Sequence, residues 1–253
     1  MITLGIDIGG SATKGALVDT TTGLMVSERV RYETKPLEKP KMIISLVEKI
    51  RKDLDYHGTI GAGYPGIVKN GISLTAANMH KNFINADIAE MIRIKTYQPA
   101  VVINDADAAG LAEMRFGVPE AKNYHVVMFL TIGTGIGSAI FVDGKMIPNT
   151  EFGHLKIRGH DAEHLASDAV RRAEKLSWKS WGKRFTEVLQ TYEFLINPDL
   201  FILGGGLCSR FDLFAEYLKN STKTIPAKLE NMAGIVGAAM AAHESIGSTK
   251  LES

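Results

Sequence analysis

Short apolar runs closed by glycine recur along the chain, and the arrangement occurs twice. Ile2–Ile8 is an apolar run ended by Gly9-Gly10; Thr13–Asp19 follows, then the turn Thr21-Thr22-Gly23 and a further run, Leu24–Glu33. Runs bounded in this way predict three successive antiparallel strands. Beyond Pro36 and Pro40, apolar residues fall at Ile43, Leu46, Val47, Ile50 and Leu54, the spacing of an amphipathic helix. Thr59–Gly63 reads as a strand ended by Tyr64-Pro65-Gly66, Ala86–Ile94 as a second helix, Ala100–Ile103 as a buried strand, and Asp105–Phe116 as a helix.

The pattern restarts near residue 124. His125–Thr131 is apolar, Gly133-Thr-Gly-Ile-Gly137 is a glycine turn, and Ser138–Val142 returns as a strand before the hairpin signal Asp143-Gly144. Helices are expected over Ala162–Leu176 and Gly182–Ile196. A strand at Leu200–Leu203 leads into Gly204-Gly205-Gly206, and helices around Phe211–Lys219 and Ile235–Glu244 complete the chain. A strand, a glycine turn and a returning strand therefore occur twice, roughly 125 positions apart, each ahead of helices. This predicts a duplicated α/β architecture with a cleft between halves. The divide is expected at residue 107, giving an N-terminal domain of 1–107 and a C-terminal domain of 108–253 whose last helix can pack back on the first half.

Composition narrows the class. Lys+Arg 29 against Asp+Glu 28 argues against a surface built for nucleic acid or anionic lipid. A single cysteine, Cys208, permits no internal disulfide and favours a reducing compartment. The chain shows no secretory signal pattern, and its longest apolar stretch, Gly234–Ala242, is far below the roughly 20 residues a bilayer needs. A cytoplasmic protein is expected, with no nucleic-acid or membrane partner.

The glycine turns are the strongest chemical signal. Asp7-Ile-Gly-Gly-Ser-Ala-Thr-Lys14 gathers a carboxylate, flexible backbone, two hydroxyls and an ammonium group, and Thr131-Ile-Gly-Thr-Gly-Ile-Gly137 gathers backbone amides and hydroxyls. Either alone reads equally well as a plain hairpin. As a matched pair they point to concave amide nests that cradle phosphate. Neither is a P-loop, nor does a helix open at Gly133 as a dinucleotide fingerprint requires. Asn104-Asp105-Ala-Asp107 closes an apolar strand, where open α/β sheets place ligands; one of its aspartates can instead cap the helix. Asn78 and Glu151-Phe-Gly-His154 add side chains suited to pairing with several hydroxyls, although singly Asn78 reads as a loop residue and His154 as a structural histidine.

These motifs, with Gly204-Gly-Gly206, resemble the sugar kinases of the ROK family, which have the duplicated ribonuclease H-like fold of actin and hexokinase. Thr75-Ala-Ala-Asn78, Asn104 to Gly117, Pro148-Asn-Thr-Glu151, Leu176-Ser-Trp178 and Ala233-Gly-Ile-Val-Gly237 resemble the polyphosphate-using glucokinases within it. The likeness runs from residue 2 to about 240. It implies phosphoryl transfer from inorganic polyphosphate to the 6-hydroxyl of glucose, with Asp105 as general base. It also implies that Asn78, Asn104, Glu151, His154 and Glu163 hold the sugar. The donor would be held by Asp7, Gly9, Gly10, Ser11, Thr13, Lys14, Thr131, Gly133, Thr134, Gly135, Gly137 and Gly204–Gly206. Mg2+ is implied, oriented by Asp7 through water, as is a homodimer. The family's cysteine-rich zinc motif is missing from 158–167, so no structural zinc is expected.

Arg171, Arg172, Lys175, Lys179, Lys183 and Arg184 crowd six cations against one acid into fourteen positions. On one helix, 171, 175 and 179 would step round by about 40° each, forming a stripe along which polyphosphate can lie. Read alone, the run is a solvated helix face; the resemblance favours the polyphosphate track. ATP as donor, alone or beside polyphosphate, stays open, as does mannose as acceptor. Two remoter readings are a zinc peptidase built on His160-Asp-Ala-Glu163-His164 and a non-catalytic sugar sensor.

Overall fold

The computed structural model describes residues 1–34, 39–76 and 79–249. Two units separate, one of Met1–Ala112 with Met232–Ser253, the other of Glu113–Asn231. The first change of unit falls five residues beyond the expected position 107, at the end of a helix. The chain also returns to the first unit for its last segment, so the second unit is an insertion rather than a C-terminal half.

In the first unit, β1 (Ile2–Ile8), β2 (Ala12–Asp19), β3 (Leu24–Met25), β4 (Val30–Glu33), α1 (Pro40–Asp53) and β5 (Ile60–Tyr64) come first. A small hairpin, β6 (Val68–Lys69) and β7 (Ile72–Ser73), precedes α2 (Ile88–Thr96), β8 (Ala100–Asn104) and α3 (Asp105–Ala112). The sheet order is β3-β2-β1-β5-β8, with β4 also on β2; β1, β5 and β8 run parallel. The long third strand expected over Leu24–Glu33 is broken. Ser27 Oγ accepts the Leu17 N–H at 2.9 Å, so a side chain takes the place of a backbone partner between β3 and β4. The core is aliphatic: Leu4, Ile6, Ile43, Val47, Ile50, Ile60 and Ile92 close on Tyr64 and Phe83.

The second unit repeats the design with β9 (Val126–Ile132), β10 (Ile136–Val142), β11 (Lys145–Ile147) and a small hairpin of β12 (Lys156–Ile157) and β13 (His160–Asp161). Then come α4 (Ala162–Ala166), α5 (Asp168–Ala173), α6 (Trp178–Ile196), β14 (Leu200–Gly204) and β15 (Lys223–Pro226). Its order, β11-β10-β9-β14-β15, reproduces that of the first sheet strand for strand, with β9, β14 and β15 parallel. Three antiparallel strands followed by two parallel ones, twice, is the duplicated ribonuclease H-like α/β fold. The core is aromatic: Trp181, Phe185, Tyr192, Phe201 and Phe214 pack with Met128, Leu130 and Leu203.

Three expected helices differ. Ala162–Leu176 is two short helices, because Ser167 ends α4 and caps α5, its hydroxyl accepting the Val170 N–H at 3.4 Å. Phe211–Lys219 is 3₁₀, within Gly205–Leu213 and Ala215–Tyr217. The helix over Asp105–Phe116 stops at Ala112 and widens into a π turn, Glu113–Gly117. There the fully buried Glu113 carboxylate accepts the Lys228 and Leu229 N–H groups at 3.0 and 2.7 Å. Burial pushes this carboxyl above the usual glutamate range, and the two amides pull it back in part.

The last helix, α7 (Ala233–Thr249), belongs to the first unit and packs on β1, β5 and α3. Among the described residues, no helix is long and apolar enough to cross a membrane.

Candidate active site

In the first unit the chemistry collects at the carboxyl ends of the parallel strands, where α/β sheets bind ligands. Asp7, the penultimate residue of β1, pairs in register with Gly63 on β5, which pairs with Ile103, two residues before Asp105. Asp7 and Asp105 thus stand at the same end of the sheet, on strands separated by β5. The Gly9–Ser11 turn is closed by Gly9 N–H donating to Ala12 O at 3.0 Å. Lys14, opposite Asp7 across the hairpin, places its Nζ 3.3 Å from Asp7 Oδ2.

Two expected residues are also engaged within the fold. Thr13 is fully buried, and its hydroxyl meets Thr34 at 3.1 Å. Side chains alternate along a strand, so with Lys14 beside Asp7 the Thr13 side chain turns inward. Asn104, not either aspartate, caps α3. Its Oδ1 accepts the Ala106 and Asp107 N–H groups at 2.8 and 3.0 Å, while Nδ2 donates to Gly66 O at 3.1 Å. Asn104 holds the strand-to-helix corner that presents Asp105. Asn78 lies outside the described residues.

In the second unit the two glycine segments are neighbours, since Gly204 pairs with Thr131 where β14 and β9 end. Gly205 has φ +78°, and a Cβ there would press on the Ile132 backbone, so both the turn and the close approach require glycine. Gly133 differs, because nothing lies within 4 Å of where its Cβ would be. Its carbonyl accepts the Ala169 N–H at 3.1 Å, and its own N–H reaches Gly135 O at 3.0 Å.

Beside this turn sits the group expected to bind hydroxyls. A Cβ on Gly153 would overlap the Ile136 carbonyl, so glycine in Glu151-Phe-Gly-His154 lets that loop lie directly against β10. Ser138 Oγ accepts the Phe152 N–H at 3.1 Å, and Tyr192 donates to Phe152 O at 2.8 Å, fixing the loop. His154 then lies 3.9 Å from Glu151, 3.4 Å from Asp161 and 3.8 Å from Glu163. Burial pushes the Glu151 carboxyl above its usual range; His154 opposes this and the charge of Glu163 adds to it.

Asp161, which the sequence did not single out, is held low by Lys156, with which it pairs. His154, Asp161 and Glu163 are the one group among the described residues whose atoms converge closely enough for a metal ion. It does not include His160 or His164, the two histidines of the remoter peptidase reading. Within this cluster Asp161 also pairs with Lys156.

The basic run is not one stripe. Lys175 has φ +51° and Ser177 caps α6, so the chain breaks between α5 and α6, and 171, 175 and 179 do not share a helix. The Asp168 side chain, only 2% exposed, binds Arg171 at 2.8 Å and also pairs with Arg172. Arg171 further lies 4.0 Å over the Trp178 ring, and Arg184 pairs with Glu174 at 2.7 Å. Lys179 and Lys183, one turn apart on α6, keep a common face.

Known proteins share this arrangement. The chain is 42% identical over 238 residues to a polyphosphate glucokinase of Mycobacterium tuberculosis (strain CDC 1551 / Oshkosh), covering 94% of this chain and 89% of that one. The crystal structure of an inorganic polyphosphate/ATP-glucomannokinase from Arthrobacter sp. strain KM superposes with a TM-score of 0.92 at 40% identity, over 96% of this chain and 99% of that one. A ROK family glucokinase from Streptomyces griseus, in complex with glucose and AMPPNP, shares the fold with a TM-score of 0.83 at 21% identity, over 96% and 100%. The family model described as ROK family matches residues 3–166, more than half of the sequence and spanning motifs of both units. The chain belongs to the ROK family.

Proposed function

We propose that this chain moves the terminal phosphoryl group of inorganic polyphosphate to the 6-hydroxyl of glucose, giving glucose 6-phosphate. The observation that carries the reading is the likeness to polyphosphate glucokinases over nearly the full length, with the family's sugar and phosphate motifs at the strand ends where ligands bind. Phosphoryl transfer asks a protein for positioning and charge neutralisation more than for covalent work, and amide nests with one base supply that. Asp105 takes the 6-hydroxyl proton. Glu151, His154 and Glu163 hold other hydroxyls, and Asn78 is retained in that set from the family pattern. The turns at Gly9–Ser11, Gly133–Gly137 and Gly204–Gly206 hold the donor. Asp7, a part-buried carboxylate of the hard-oxygen type magnesium selects, would hold Mg2+ through water, and the ion would share neutralisation of the donor. A homodimer, the habit the resemblance implies, is part of the reading.

A second donor, ATP, and a second acceptor, mannose, are favoured by the 40% identity to a protein described as using both polyphosphate and ATP as a glucomannokinase. One competition assay tests donor choice: glucose with polyphosphate and ATP together, product counted from each. Polyphosphate is expected to dominate; turnover from ATP alone would replace this reading by a plain glucokinase.

The long donor is proposed to run past Lys175, Lys179, Lys183 and Arg172, whose side chain is 69% exposed despite its tie to Asp168. The double variant Lys179→Glu/Lys183→Glu should raise the polyphosphate KM by about ten-fold at low salt, less at high salt, and leave the ATP KM within about two-fold, because exposed charges act through screened, counterion-releasing contacts. Equal losses for both donors would remove the track.

Glu151 gives a pH test. A raised carboxyl takes up its proton at higher pH than an ordinary glutamate, so on acidification the glucose KM should rise before unperturbed carboxylates titrate. In Glu151→Gln that acid limb should disappear, leaving a higher but flatter KM. An unchanged limb would assign it to another group.

A further inference from the structure

Glu163 touches more than the hydroxyl-binding group. Its Oε2 accepts the Ile136 N–H at 3.3 Å, where the second glycine turn rejoins β10, while its Oε1 lies 3.8 Å from His154. A Cβ on Gly135 would overlap that same Oε2, so Gly135 is the residue that lets the carboxylate reach the turn. The backbone there is not left-handed, and the carboxylate is the nearest obstacle to a side chain at 135. A second tie comes from the same corner. The Glu163 carbonyl accepts the Ser167 N–H at 3.0 Å, and Ala169, two residues on, donates to Gly133 O at 3.1 Å. Asp168 between them is buried and locked by Arg171.

We propose that Glu163 is a shared strut. One carboxylate oxygen positions the donor turn while the other faces the sugar, so that the geometry of the turn sets glucose affinity and glucose in turn sets the geometry of the turn. Gly135 is a positioning residue for the sugar although it belongs to the phosphate motif. Coupling of this kind between two sites is reciprocal, and typical couplings shift affinities by about 5–150-fold. The proposal rests on the reading of Glu163 as a sugar ligand.

The test is glucose binding to the purified full-length protein without donor, by calorimetry, beside donor KM values. Gly135→Ala should weaken glucose binding by about ten-fold even though residue 135 is assigned to the donor. Glu163→Asp draws the carboxylate back by one methylene and weakens glucose by itself. In the double variant Gly135→Ala/Glu163→Asp the added methyl has less to displace, so the combined loss should be smaller than the product of the single losses. A glucose affinity unchanged in Gly135→Ala, or losses that simply multiply, would overturn the strut. Should Gly135→Ala not fold, Glu163→Ala decides: it must raise the donor KM as well as weaken glucose, and an unchanged donor KM overturns the coupling. If Glu163→Ala leaves glucose binding intact, the sugar role itself is wrong, and the strut falls with it.

Discussion

Asp105→Asn should lower kcat by about 10²–10⁴-fold, the range a positioned general base supplies, while changing glucose affinity only a few-fold. Asp105 opens α3, and its Oδ1 accepts the Ala106 N–H at 2.8 Å. Asparagine keeps an oxygen for that contact and nearly the same volume, so the corner held by Asn104 should survive. What it loses is the ability to accept a proton. A base acting on the acceptor hydroxyl, as proposed for Asp105, should cost the same factor with polyphosphate and with ATP. A fall confined to one donor would move Asp105 to the donor's side, and an unaltered kcat would remove it from the chemistry. Calorimetric binding of glucose to the same variant separates the two effects, since a base is needed for turnover but not for occupancy.

The strand framework was legible because its signals are local. Ile2–Ile8 and Thr13–Asp19, or His125–Thr131 and Ser138–Val142, are apolar runs joined by glycine turns, and each of these pairs forms an antiparallel ladder. Asp143-Gly144, the strongest hairpin signal, joins β10 to β11. The misread segments are those where one side chain decides by a contact distant in sequence or by a cap. Ser177 closes the gap between two helices by accepting the Ser180 N–H at 3.1 Å, and its position ahead of Trp178 was the available clue. Glu113 had no such clue. Within a helical pattern it reads as an exposed acid, and its partners lie more than a hundred residues away.

The site divides in the same way. Asp105 and the glycine turns are visible as motifs, because backbone geometry demands particular residues at fixed spacing. The inward turn of Thr13, the arrival of Asp161 beside His154, and the commitment of Arg171 to Asp168 depend on packing, which composition and spacing do not encode.

Gly237→Ala should lower the melting temperature by at least about 4 °C, and Gly237→Val should leave little folded protein. Alanine is the better helix former by about 1 kcal/mol, so propensity alone predicts a more stable α7. Space predicts the reverse. A Cβ at 237 would overlap the Ala108 carbonyl oxygen, and its nearest neighbours are all backbone atoms of Ala108. Gly5 and Gly61 meet α7 in the same manner, at the Ile235 and Ala238 carbonyls, so the helix is seated on β1, β5 and α3 along a seam with no slack. Overpacking costs about 1–3 kcal/mol and occasionally more, and every near neighbour here is rigid backbone, so about 3 kcal/mol or above is expected. The net loss is then at least about 2 kcal/mol, and a chain of this size loses roughly 2–4 °C for each. Truncating the neighbour should not rescue it, because Ala108→Gly leaves the obstructing carbonyl in place. Gly133→Ala is the contrast: with nothing within 4 Å and no left-handed backbone, it should melt with the parent while donor affinity falls. If Gly237→Ala also melted with the parent, the seam would be looser than drawn. The support for Asp105 would then need another source, since α3, which carries it, is held by the same contact.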